Sequence, residues 1–242
     1  VHLKTGFILA IGSLLLLDAC ANHGSERSGQ ASIDSASGAL DLSALPDPAI
    51  PAGCTELGRA SGDLDKDGQD ELVVGYTGAQ SSELGSMRRL VIYKAGPKSW
   101  KSWHESSGPL LPSQQGGASG DPFQSIAIEN GAIVINHAGG SRERWDYVHR
   151  YRLNAAKWEL IGATITTGEP CDTFTTLDFN LSTGQVDLER ESNNCDETGT
   201  EVPGQGEATT SRFRIGRSAV SMDGFQPGEN RIRIPDQGDF YY

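Results

Sequence analysis

The chain has 242 residues and carries 32 Asp and Glu against 20 Lys and Arg, a formal net charge of −12. An excess of this sign argues against nucleic acid and anionic lipid headgroups as partners, because both would be repelled. The charge is also segregated: residues 161–211 hold ten acids and one base, whereas residues 87–160 hold six acids and ten bases.

At the N-terminus, Lys4 precedes an apolar run from Gly6 to Leu17 that ends in four leucines. A membrane-spanning helix needs about 20 apolar residues, and a shorter run followed by a small residue is the pattern of an export signal. Residues 1–19 are therefore predicted to be a cleavable signal peptide. The stretch Leu17-Asp18-Ala19-Cys20 resembles the bacterial lipobox, although Asp18 stands where that pattern has a small neutral residue. The resemblance implies a lipid on Cys20, and Ala21 after it implies an anchor at the outer membrane with the protein in the periplasm. Residues 20–52 are rich in Ser, Ala and Gly with three prolines, and read as lipid attachment and flexible tether. Residues 53–242 are long enough for one domain with a substantial core.

The most specific motif follows: Gly62-Asp63-Leu64-Asp65-Lys66-Asp67-Gly68-Gln69-Asp70-Glu71. Three aspartates at alternate positions and then a glycine make a loop whose carboxylates turn inward, and a hard cation takes six to eight oxygens. Asp63, Asp65, Asp67, the backbone carbonyl of Gln69 and the carboxylate of Glu71 are the predicted ligands of one Ca2+. With Lys66 the nearby base, the carboxylates call for a neutralising charge. The loop is no EF-hand, since its twelfth position is Val74 and the apolar strand Leu72-Val73-Val74 follows. A loop of this kind that runs directly into a strand resembles the FG-GAP and VCBS repeats of propeller proteins.

Downstream the signal is almost entirely β. Gln124–Ile128 and Ala132–Asn136 flank Asn130-Gly131, a strong tight-turn pair. Trp145–Leu153 and Trp158–Ala163 flank a turn around Asn154-Ala155-Ala156-Lys157, and a third hairpin spans 176–189. In the strand from Trp145, the residues Trp145, Tyr147, His149, Tyr151 and Leu153 share one face; Arg144, Asp146, Val148, Arg150 and Arg152 share the other. Consecutive antiparallel hairpins with glycine turns fit a sandwich, a barrel or a small propeller. The resemblance of the aspartate loop favours an all-β, small β-propeller-like domain with one calcium loop.

Three cysteines follow Cys20. Cys171 and Cys195 flank the third hairpin, which brings their neighbourhoods together, so they are the expected disulfide in an oxidising compartment. Cys54 is left over and expected to be buried. Of the histidines, His149 is expected to pack on the aromatic face and His104 to lie exposed in a Ser-rich loop.

A second resemblance is carried by Gly120-Asp121-Pro122-Phe123, then Ile126 to Gly131, Gly139-Gly140-Ser141, Arg144-Trp145, Tyr151-Arg152-Leu153 and Trp158 to Gly162. This order, behind a lipobox and an aspartate loop, is similar to a group of bacterial VCBS-like lipoproteins. Some of that group resemble periplasmic immunity proteins that neutralise peptidoglycan-hydrolase effectors of antibacterial type IV secretion systems. The chain contains no Gly-x-Ser-x-Gly elbow, His-Glu-x-x-His helix, Cys-x-x-Cys pair or phosphate loop, so binding rather than catalysis is expected. The implied partner is a peptidoglycan hydrolase or lysozyme-like effector. Arginines and aromatics anchor protein interfaces. The loop 137–143 and the strand after it therefore supply the expected contacts His137, Ser141, Arg142, Arg144 and Tyr147, with His137, Ser141 and Arg142 exposed by the turn. A calcium-stabilised assembly or adhesion module at the outer membrane is the alternative reading.

Overall fold

The computed structural model describes residues 41–192, 194–200, 202 and 206–242. The signal peptide, Cys20 and residues 21–40 of the tether lie outside them. Strands β1 (Cys54–Gly62), β2 (Glu71–Ser82), β3 (Gly85–Ala95) and β4 (Trp100–Ser106) form a four-stranded antiparallel meander. A second meander runs through β5 (Phe123–Glu129), β6 (Ala132–Gly140), β7 (Arg144–Asn154), β8 (Lys157–Gly168), β9 (Thr173–Asn180), β10 (Gln185–Ser192) and β11 (Ala208–Arg214). The short β12 (Val220–Ser221) adds to β8 beyond the point where β9 leaves it, and β13 (Arg231–Ile234) pairs with β14 (Gly238–Tyr241). The fold is thus all-β and antiparallel, with open sheets rather than a closed barrel. The first sheet has the strand count of a propeller blade; the second, with eight strands, does not.

Local chemistry sets the turns. Asn130 and Gly131, at φ 52° and 70°, supply the left-handed pair that a two-residue hairpin between β5 and β6 requires. Between β7 and β8 the same geometry falls on Ala155 and Ala156, at φ 45° and 69°. Alanine is disfavoured there by about 1 kcal/mol per residue. The long β7–β8 ladder, paired from Arg144 opposite Gly168 to Asn154 opposite Lys157, offsets that cost.

One face of the second sheet carries Ile133, Ile135, Tyr151, Ala163, Leu177, Phe179, Val186 and Leu188, all essentially inaccessible, and joins Val73, Leu90 and Ile92 of the first sheet in one core. Fully burying each large side chain contributes about 1.5–3 kcal/mol. Trp103 on β4 meets Trp158 on β8 edge-on at 5.5 Å, while β1 lies against β5. That second approach depends on missing side chains. A Cβ at Gly62 would fall 2.7 Å from Ile128, and on the neighbouring β2 one at Gly75 would fall 2.9 Å from Ile126. The C-terminal segment contributes Phe225, Ile232, Ile234 and Tyr242 to the same core. Tyr242 meets Phe179 edge-on at 5.5 Å.

The other face of the first sheet holds a smaller cluster of Leu72, Val74, Tyr76, Val91 and Tyr93. Residues 41–52, read from sequence as tether, belong to the same compact unit as the strands. Asp41 caps a 3-10 turn over Leu42–Ala44, and Asp47 pairs with Arg59 of β1 at 2.6 Å. Asp47 thus fastens this part of the expected tether to β1. The expected disulfide is present: Cys171 is bonded to Cys195. Cys54 is free but only partly buried, against expectation, and lies 3.6 Å from the Arg89 guanidinium.

Candidate functional site

The aspartate loop connects β1 to β2. Its backbone turns through left-handed Lys66 and Gly68, and its own N–H groups bond the carboxylates of Asp63, Asp65 and Asp67. Asp63 accepts from the amides of Lys66 (2.6 Å) and Gly68 (3.0 Å), Asp65 from Asp67 (3.3 Å), and Asp67 from Gln69 (2.9 Å). Glu71 opens β2 with its side chain only 2 % exposed, and accepts the amide of buried Leu64 at 2.8 Å. Burial raises the Glu71 carboxyl, and the neighbouring Asp65 adds to this; the Leu64 amide and Lys94 act in the opposite direction without cancelling it.

Asp63, Asp65 and Glu71 each offer one oxygen, all within 4.8 Å of one another. Oxygens around one Ca2+ at about 2.4 Å lie at most about 4.8 Å apart, so these three are close enough that they could hold one ion. Asp67, also a predicted ligand, is not in that convergent group of side chains. What the sequence did not reveal is Lys94. From β3 its ammonium hydrogen-bonds Asp65 and stands 3.4 Å from both Asp67 and Glu71, 4.5 Å from the centre of the Trp103 ring. Burial works against this ammonium, but Asp65 and Glu71 outweigh it and hold its pKa above the ordinary lysine range. The neutralising charge that the loop calls for is therefore supplied at least in part from 23 residues downstream of Glu71.

The second predicted site divides. β6 runs on to Gly140, so the connection to β7 is only Ser141–Glu143. Ser141, Arg142 and Arg144 are exposed, and Arg142 holds Glu169 of the β8–β9 connection at 2.6 Å. His137 is not exposed. Strand alternation carries it inward with Ile133 and Ile135, where it is wholly buried and its Nε2 accepts the Leu111 amide at 3.3 Å. Tyr147 is half-buried, stacked on Trp145 at 4.7 Å and packed against the core. His149 is buried as expected, edge-on to Phe225 at 4.8 Å. Burial, aided by Arg88, lowers His137 to about 4; burial, aided by His137 and Arg150, lowers His149 to about 3. His104 is partly buried and bonds Asp223 at 2.8 Å.

Another feature went unread. Arg88 on β3, its side chain 1 % exposed, donates to the Leu111 carbonyl at 3.0 Å and pairs with Asp121 just before β5. This ties the first sheet to the entry of the second. A surface charge pattern gives no hint of a cation 33 residues from its acid, so nothing in the sequence could have found it. No family model, no curated protein and no solved structure matches the chain.

Proposed function

We propose that the protein is a periplasmic, lipid-anchored inhibitor, an immunity protein that binds and blocks a peptidoglycan hydrolase effector through the β6–β7 tip. The observation that carries this reading is the Ser141–Glu143 tip itself. It presents Arg142 with its side chain 87 % exposed, braced by Glu169, at the end of the β6–β7 hairpin, which β8 flanks up to Gly168 opposite Arg144 and whose inner face is locked in the core. A rigid hairpin end with a cationic side chain at its tip can pair with catalytic carboxylates at the mouth of a substrate cleft, and a preorganised element loses little conformational freedom on binding. This reading assigns no catalytic residue to the chain. Cys20 supplies the membrane attachment.

In the same reading the β1–β2 loop is a structural Ca2+ site. Asp63, Asp65 and Glu71 hold the ion, with Asp67 and the Gln69 carbonyl completing the set. The ion supplies charge neutralisation and no chemistry. The propeller-like kinship attaches to the first sheet, whose β1–β2 loop carries the acidic motif. The test is titration of the cognate hydrolase on purified peptidoglycan with the parent and with Ser141→Ala and Arg142→Ala. Loss of inhibition in folded variants supports the tip as the inhibitory element. Parental inhibition in both removes it.

A further inference from the structure

A cavity of about 400 Å3 opens on the outward face of the second sheet, beside the tip and away from the core. Its origin lies in the register. Across β6, β7, β8 and β9 one row reads Gly140, Arg144, Gly168, Phe174 and the next reads Ala138, Asp146, Thr166, Thr176. The small residues around Arg144 and Asp146 leave space above the sheet. At Gly168 an added Cβ would fall 2.8 Å from the Phe174 ring, so that ring leans over the glycine toward Arg144. Gln124 and Ser119 close the far side.

Three charged side chains therefore line one hollow: Asp121, which is already paired with Arg88, and Arg144 and Asp146, which do not pair with each other. Arg144 and Asp146 stand two residues apart on one face, about 6.6 Å along the strand. Neither has an ion-pair partner among the described residues. Burial raises the Asp146 carboxyl, and the Asn136 amide offsets this only in part. A half-buried carboxylate without a cation is the group that a bound ammonium would relieve, and a free guanidinium is the group that takes a carboxylate in a bidentate grip.

We propose that this cavity binds a small zwitterion of the amino-acid or short-peptide class, its carboxylate on Arg144, its ammonium on Asp146 and its apolar part against Phe174. A neutral sugar would leave both charges unmatched, and a simple amine or simple acid would leave one. The volume is in the range of small-molecule sites. The proposal is independent of the inhibitor reading, since it rests on the sheet face and not on a hydrolase.

The experiment is calorimetric titration of the full chain with L-alanine, D-alanine, L-lysine and the dipeptide L-Ala-L-Ala, with ethylamine, acetate and glucose as controls. At least one zwitterion is expected to bind saturably with Kd of about 1 mM or tighter, at least tenfold better than any control. Asp146→Asn, nearly isosteric, and Arg144→Gln, at the exposed rim, are each expected to weaken it tenfold or more without changing the melting temperature. The proposal is overturned if no zwitterion gives saturable heat, if glucose or a single-charge control binds as well, or if Arg144→Gln binds like the parent.

Discussion

The β1–β2 loop and the outer end of the β6–β7 arm both gather charge, and they treat it oppositely. In the loop, Asp63, Asp65 and Asp67 each accept a backbone amide of the loop itself, and Lys94 sits among Asp65, Asp67 and Glu71. At the hairpin end, Arg142 pairs with the partly exposed Glu169, while Arg144 and Asp146 have no ion-pair partner among the described residues. Matched charge on a turn with a buried glutamate at its base is a device for holding a fold. Unmatched charge on a rigid, exposed arm is available to something else. Substitutions in the loop should therefore register as stability, and substitutions at the arm's end as binding.

The largest expected effect comes from beneath the arm, where the same strands carry His137 and His149 inward. Both are neutral in the fold, with values of about 4 and about 3, against 6.5 in the unfolded chain. Between 6.5 and those values the unfolded chain binds protons that the fold refuses. Stability is thus intact above pH 6.5 and falls as pH drops below it. The loss is about 1.4 kcal/mol per pH unit per histidine until each folded value is reached. Denaturant unfolding at pH 7.5, 5.5 and 4.5 measures this. His149→Phe is the control: neither ring nitrogen of His149 has a hydrogen-bond partner among the described residues, so the variant should fold and roughly halve the acid slope. An unchanged slope would show that the histidines are not the acid-sensitive element.

Next is the Cys171–Cys195 bond, which fastens the β8–β9 connection that carries Glu169. Opening a loop of this size should cost about 3 kcal/mol. Chemical unfolding with and without reductant checks it, and equal midpoints would mean that the surrounding strands suffice. Smaller again is Lys94→Met. The lysine side chain is about a third exposed, so solvent screening limits the loss to about 1.5 kcal/mol in chelator. Added Ca2+ should then raise the variant's melting temperature more than the parent's, because binding to the fold alone stabilises by mass action and the competing ammonium is gone. If calcium moves neither protein, the loop neutralises itself and the metal reading falls. If Lys94→Met matches the parent in chelator, Lys94 is not the neutralising charge.

What the sequence made legible, and what it hid, follows range. Asn130-Gly131, the alternation from Trp145 to Leu153 and the hairpin between Cys171 and Cys195 are local signals, and each produced the element expected of it. Three aspartates before a glycine marked the loop for the same reason. Lys94, Arg88 with Asp121, and the Arg144–Asp146 hollow all require register between strands, which no single stretch encodes. His137 illustrates the boundary. Residues 137–143 read as a loop, but β6 continues through Gly140 because the ladder with β7 pairs His137 with Tyr147, Gly139 with Trp145 and Gly140 with Arg144. Alternation then decided the side, and the histidine went in.

The smallest expected effect on stability is at the tip, and it is also the sharpest test of the contrast between the two regions. Arg142→Ala removes one exposed ion pair, so it should change unfolding free energy by less than about 0.5 kcal/mol. If the tip is the inhibitory element, the same variant should lose about 2 kcal/mol of binding to the hydrolase, about thirtyfold in affinity. Glu169→Gln separates direct contact from bracing. It leaves the arginine in place and takes away the charge that positions it, so its affinity should fall by less than that of Arg142→Ala while its stability stays parental. A variant pair in which Glu169→Gln costs as much binding as Arg142→Ala would mean that the brace, and with it the β8–β9 connection, is the surface the partner reads. The acidic stretch 161–211 would then replace the cationic tip as the region to map.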